Sequence, residues 1–308
     1  MVKIKNKDDF KRIYLIDDDN RKNDLPKLKK KRLRPKRFLR RIGLILLIII
    51  LFTSFMVSGI KVLFWYRDSK KTEQTIQNIE NITEVKEVQD TEKTVVYNPP
   101  KKDKTNIYWD YVKMNLLDVD FNNLLNINSD TVGWIEVNGT NINYPFVQTN
   151  NNEYYLKKDF NKKYNSAGWV FLDYRNNLEN LNRNTIIYAH GRIDGTMFGS
   201  LKNIIKSNWY DDKNNHILKI ATKYNSSLWQ VFSVYHIPTT SDYLDIEFET
   251  DTGYIEFLKK LQTRSYYQFD VDLNENDKIV TLSTCYGDNE RVVLHAKLIK
   301  MEEKDGSN

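Results

Sequence analysis

Apolar positions along the chain change their pattern three times. From Ile42 to Ile60 there are nineteen residues without a charge, dominated by Leu and Ile. At about 1.5 Å per residue, a helix of that length spans roughly 28 Å, close to a bilayer's hydrocarbon core. Lys61 is followed by Val62-Leu63-Phe64-Trp65-Tyr66, an aromatic segment suited to a bilayer interface. Residues 42–66 are therefore read as a transmembrane signal-anchor helix. A buried core helix and a cleaved signal peptide are the rivals. An uncharged run of this length usually spans, and both the run and its 41-residue lead exceed a signal peptide's dimensions. Residues 67–104 are rich in Lys, Glu, Thr, Asn and Gln and end in Asn98-Pro99-Pro100-Lys101-Lys102. Their isolated Ile and Val are too unevenly spaced for a core face, so the stretch is expected to be a polar linker, with room for a short helix.

Residues 105–301 carry the pattern of one folded domain, about 200 residues, enough for a single core. Trp109, Val112, Met114, Leu116, Leu117, Phe121, Leu124 and Leu125 recur at roughly helical spacing and predict N-terminal helices. Eight short apolar runs follow, separated by Asn, Gly and Asp: Val132–Val137, Ile142–Val147, Gly168–Leu172, Thr185–Ala189, Ile217–Thr222, Leu228–Ile237, Lys278–Ser283 and Arg291–Lys300. Eight such runs predict a mainly β fold, a closed or nearly closed eight-stranded barrel. Between about Thr252 and Gln262, Tyr254, Ile255, Leu258 and Leu261 predict an amphipathic helix inserted before the seventh of these strands. Residues 302–308 form a polar C-terminal tail.

Charge orients this arrangement. Residues 1–41 hold 17 Lys and Arg against 6 Asp and Glu, a net of +11, whereas the remainder holds 30 basic and 35 acidic residues, a net of −5. By the positive-inside rule, the basic tail 1–41 stays cytoplasmic and the domain lies outside the cell, on a single-pass membrane protein. A basic chain invites a nucleic-acid reading, but this charge sits beside an apolar span, where it fixes topology and meets anionic lipid headgroups. No nucleic-acid partner is expected.

The chemistry centres on Cys285, the only cysteine. It closes the run Ile279 to Thr284, and a lone cysteine in an exported domain cannot form an internal disulfide. It is read as a nucleophile. Among four histidines, His190 ends the run Thr185–Ala189 and turns into a loop, the context in which barrels present functional groups. An imidazole near a thiol favours the thiolate and then serves as general acid. His216 is expected to be solvated, His236 to have a packing or surface role, and His295 to be structural. Arg291 offers a fixed charge for a carbonyl oxygen that gains charge during attack. No His/Cys/Asp cluster has metal-ligand spacing, and the chemistry needs no metal or cofactor.

Thr281-Leu282-Ser283-Thr284-Cys285 followed by Arg291 resembles the signature of sortases, membrane-anchored cysteine transpeptidases of Gram-positive bacteria. The likeness continues in family order through Asp130–Ile135, Tyr144–Gln148, Tyr154–Leu156, Ala167–Asp173, Ile186–His190 and Met197–Gly199, and covers about Asn115 to Lys300. The N-terminal helical segment, the helix before the cysteine strand and Arg291–Leu298 resemble class B most closely. The resemblance implies a sortase-like barrel with Cys285 as nucleophile, His190 as general acid/base and Arg291 as stabiliser of substrate and oxyanion. It further implies that Ser283, Thr284, Asn152 and Leu156 line the peptide groove. Its expected partners are the sorting-signal peptide of secreted surface proteins, cleaved after Thr, a peptidoglycan precursor or other amine acceptor, and the lipid bilayer. Pilin polymerisation, thiol endopeptidase activity and an inactive membrane-tethered binding module are the alternatives. Two departures stand out. Ala189-His190-Gly191 replaces the family's commoner Gly-His-Asn, and only five residues separate Cys285 from Arg291, fewer than in many class B members.

Overall fold

A computed structural model describes residues 35–100, 105–286 and 289–304, and for residues 35–37, 285 and 286 the backbone alone. Most of the basic tail and the last four residues thus lie outside the described residues. Helix α1 runs Pro35–Ile82, and its apolar part is exposed, long enough and apolar enough to cross a membrane. By contacts the chain divides between Gly59 and Ile60, and the unit from Ile60 onward contains the barrel.

The barrel strands are β4 (Thr131–Val137), β5 (Asn143–Val147), β6 (Phe171–Leu172), β7 (Asn184–Ala189), β8 (Ile217–Thr222), β9 (Asn225–Pro238), β10 (Ile279–Tyr286) and β11 (Glu290–Glu303). They pair in the order β10-β7-β6-β5-β4-β8-β9-β11, and β11 returns to β10, closing an eight-stranded barrel. Each of the eight apolar runs is one of these strands. Closure satisfies the backbone of every strand, and side chains alternate between interior and exterior. Val280, Leu282, Val292 and Leu294 enter the main core with Trp134, Phe146 and Phe198, while Ile279 and Val293 join a second cluster outside it. That second layer is covered by α5 (Asp251–Thr263), through Tyr254, Phe257, Leu258 and Leu261. Thr250 caps the helix by accepting a hydrogen bond from the Gly253 N–H at 3.1 Å. Because both faces of β10 are covered, its run has no polar face, and its polar residues need partners. Thr281 is bonded to Asn184 and His295, and Ser283 to the Tyr243 hydroxyl.

Two expectations change on the N-terminal side. The helical spacing from Trp109 to Leu125 resolves into α2 (Tyr108–Tyr111), strand β3 (Leu116–Val119) and α3 (Asn122–Ile127). Leu116 to Val119 becomes a strand because β1 (Val85–Val88) pairs with it, Val85 opposite Val119. The stretch expected as a linker is ordered over 67–100. Thr72, Thr75 and Ile79 of α1 are buried, and β2 (Thr94–Val96) adds to β11 beyond its pairing with β10. Only a partner already in place makes such short, isolated apolar residues into strands.

His216, expected to be solvated, is 8% exposed; its Nε2 lies 2.8 Å from the Tyr210 carbonyl and its ring stacks on Tyr210. His236 meets the Tyr266 hydroxyl at the surface. His295 is fully buried between the Tyr235 and Thr281 hydroxyls. Burial lowers the pKa of His295 from 6.5 to about 3 and that of His216 in the same direction. The unfolded chain therefore binds more protons below pH 6.5, and stability present above that pH is lost as pH falls toward 3. The expected slope from His295 is about 1 kcal/mol per pH unit, with His216 adding in the same sense, measured by denaturant unfolding between pH 7 and 5. A flat profile would contradict the neutral, buried state of His295.

Candidate active site

The register of three adjacent strands assembles the site. On β7 and β10, which run parallel, Ala189 lies opposite Thr284, so His190 and Cys285 are the next positions on each strand. On β10 and β11, which run antiparallel, Cys285 lies opposite Arg291, and Tyr286 pairs with Glu290. His190, Cys285 and Arg291 thus occupy one row across three strands, with Cys285 in the middle. Neighbouring strands are about 4.8 Å apart, so the two flanking backbones stand roughly 10 Å from each other. The short Cys285–Arg291 spacing fits this register, with Tyr286 and Glu290 paired next to them. The thiol itself lies outside the described side chains.

His190 is half-buried, and its Nε2 lies 2.8 Å from the Leu156 carbonyl. A carbonyl oxygen only accepts, so Nε2 carries the proton and donates it, which leaves Nδ1 as the ring's acceptor nitrogen. Leu156 closes the turn Tyr154–Leu156, and Gly168 packs beneath. Gly168 has φ +61°, and a Cβ there would sit 2.5 Å from the Tyr155 carbonyl, 3.0 Å from the Leu156 carbonyl and 3.1 Å from His190 Cδ2. Gly168→Ala should displace the carbonyl that orients the ring. We expect kcat to fall about tenfold or more, because misplacing a catalytic group by about 1 Å is costly. Steady-state kinetics beside a melting curve checks this; unchanged kcat would show that the turn does not orient His190.

Arg291 is half-buried at the start of β11, and one guanidinium nitrogen donates to the Glu290 carbonyl at 2.9 Å. A groove of about 650 Å³ opens beside the row. His190 and Arg291 line it together with Ser283, Thr284, Asn152 and Leu156, the four residues that the resemblance placed there. That volume lies within the usual range for binding sites. The Thr284 hydroxyl is buried and has no hydrogen-bond partner among the described residues.

Part of the lining was missed from sequence. Thr239, Thr240, Ser241, Tyr243 and Leu244, which follow β9, also line the groove, as do Phe171 and Tyr188. The only signal was a polar segment after Pro238. Asp242 pins this loop by pairing with Arg264, the residue that follows α5. Beneath the groove, buried Asp173 accepts from Asn152, Arg175 and Tyr188, and Arg175 also donates to the Leu244 carbonyl. Burial pushes the Asp173 carboxyl up, but the hydrogen bonds from Arg175 and Asn152 outweigh it and hold the group below its ordinary value. Asn152 is thus tied directly, and the Leu244 segment through Arg175, to one carboxylate. Among the described residues no cluster of His, Cys, Asp or Glu is suited to hold a metal ion.

A closed eight-stranded barrel presenting this row beside a groove is the framework of a cysteine transpeptidase, and the known proteins agree. The family model for the sortase domain matches residues 135–299, over half the chain. Staphylococcus aureus sortase B is 40% identical over 185 residues, covering 59% of this chain and 75% of its own length. The solved Staphylococcus aureus sortase B–substrate complex superposes with a TM-score of 0.55 at 40% identity, covering 58% of this chain and 84% of that one. A crystal structure of sortase B complexed with triglycine gives 0.55 at 36% identity, covering 64% and 88%. The chain belongs to the sortase family, in its class B, and is a cysteine transpeptidase.

Proposed function

We propose that this transpeptidase is held by α1 at the cell membrane, with residues 1–41 cytoplasmic and the barrel outside. There it cleaves the C-terminal sorting signal of exported proteins after Thr and joins them to an amine of the peptidoglycan cross-bridge. The observation that carries this reading is the row His190–Cys285–Arg291 at the mouth of the groove. The Cys285 thiolate attacks the threonine carbonyl carbon, forming the C–S bond. As the C–N bond breaks, His190 gives its proton to the departing amine. The acceptor amine then attacks the thioester, a new C–N bond forms, the thiolate leaves and His190 takes up the amine's proton. Arg291 faces the oxygen that becomes negative in both steps. Ser283, Thr284, Asn152 and Leu156 hold the peptide, and the unpartnered Thr284 hydroxyl is available to its backbone. The substrate and triglycine complexes of class B relatives support a peptide donor and an amine acceptor. Anchoring confines enzyme and membrane-held donor to one surface and raises their effective concentration.

The test is incubation of the full chain with a sorting-peptide library and oligoglycine, followed by mass spectrometry. The expected product is the peptide's N-terminal part, ending in Thr, joined to oligoglycine by an amide bond. Release of free acid alone at saturating amine would point to a thiol endopeptidase instead. Arg291→Lys keeps the charge but loses the planar donor fork, so kcat/KM for peptide should fall on the order of 10²-fold. Retention of activity would limit Arg291 to a diffuse electrostatic role.

A further inference from the structure

The last turns of α1 do more than dock onto the barrel. Asp68 accepts from the Ser166 N–H at 3.1 Å and from the Ser166 hydroxyl at 2.6 Å, and Thr72 Oγ1 accepts from Asn165 Nδ2 at 3.0 Å. Asn165 in turn accepts from the Ala167 N–H at 2.9 Å, shaping the turn that presents Gly168 beneath the Leu156 carbonyl and the His190 ring. One residue along α1, the Ser69 hydroxyl donates to Asp194 Oδ2 at 2.8 Å. Asp194 is paired with Arg192, two residues past His190, and the Arg192 guanidinium lies 5.7 Å from the centre of the Trp65 ring. The Phe198 N–H donates to the His190 carbonyl at 3.1 Å, so this second loop returns directly to the histidine. Neighbouring residues of one helix therefore grip both the loop that carries His190 and the loop that holds its ring.

We propose that Asp68 and Ser69, just beyond the apolar span of α1, are positioning residues for His190, so that the anchor helix helps to set the geometry of the catalytic row. The inference rests on the assignment of His190 as general acid/base. The grip is separable from docking, because Thr75, Ile76 and Ile79 supply buried contacts further along the helix. Removing the polar contacts of these two side chains leaves that packing in place.

The experiment uses the full chain in detergent micelles, with active sites counted by a thiol probe at Cys285. Asp68→Ala combined with Ser69→Ala should lower kcat per active site about tenfold while KM stays within about twofold, the signature of a misplaced catalytic group rather than lost binding. Asp68→Asn with Ser69 intact keeps an acceptor for Ser166 and should restore most of kcat. A merely structural role would reduce the number of active sites without changing kcat per site. Two results overturn the inference: kcat within twofold of the parent in the double variant, or a loss that Asp68→Asn does not restore. His190→Ala is measured alongside. If it is inactive while the double variant is normal, the positioning role alone fails; if it is active, the acid/base assignment fails first.

Discussion

Cys285→Ala is expected to abolish peptide cleavage, a loss on the order of 10⁴-fold or more, because it removes the chain's only thiol, the group proposed to carry the acyl intermediate. Cys285 is the only cysteine of the chain, and its backbone is fixed between the strand that leads to His190 and the strand that carries Arg291. Stability should barely change, since the substitution retains the β10 backbone and its ladder. Cys285→Ser is a sharper version: it keeps a nucleophilic atom of similar reach but with a far higher pKa, and it too should be inactive at neutral pH. Cleavage of an internally quenched sorting peptide, with the melting temperature recorded in parallel, measures both. Residual cleavage by either variant above the uncatalysed rate would remove Cys285 from the mechanism.

His190→Ala is the second large effect, with an expected loss of about 10²–10⁴-fold in kcat, the usual contribution of a general acid/base. The departing amine needs a proton as its bond to carbon breaks, and His190 stands one ladder position from Cys285. The Leu156 carbonyl removes ambiguity about which nitrogen serves, since it holds the Nε2 proton. His190→Gln can still donate to Leu156 but cannot exchange a proton near neutral pH, so it should be as impaired as Ala. Were Gln to restore activity, the role of residue 190 would be orientation by hydrogen bonding. The other histidines offer no substitute: His295 is sealed in the second core cluster, His216 is stacked under Tyr210, His236 meets the Tyr266 hydroxyl at the surface, and none of the three lines the groove.

Sequence and structure agree where a residue's environment is dictated by its neighbours in the chain. Every barrel strand was legible as an apolar run between turn residues, and α5 was legible from its 3.6-residue period, while its Thr250 cap came from the structure. The strand-end contexts of Cys285 and His190 were likewise visible, though that they are adjacent follows only from β7 pairing parallel to β10. What stayed hidden depends on distant partners. Leu116 to Val119 fits either a helix or a strand until Val85–Val88 pairs with it. Thr72 and Thr75 are polar by type, so the stripe they share with Ile76 and Ile79 reads as unevenly spaced apolar residues rather than a buried face. The Thr239–Leu244 wall is an irregular loop, and its place over the groove is set by Asp242 on Arg264 and by Arg175 on the Leu244 carbonyl. His216 sits among polar residues in sequence and among aromatic rings in space.

A thioester between donor peptide and Cys285 is the one species that requires this sulfur to attack the donor's carbonyl. Rapid acid quenching of the enzyme with sorting peptide and no amine, followed by digestion and mass spectrometry, would detect it directly. The expected result is a fragment containing Cys285 that has gained the acyl mass of the peptide up to its threonine and loses that mass when oligoglycine is added before the quench. Turnover of peptide with this fragment never acylated, under conditions that trap thioesters, would contradict it.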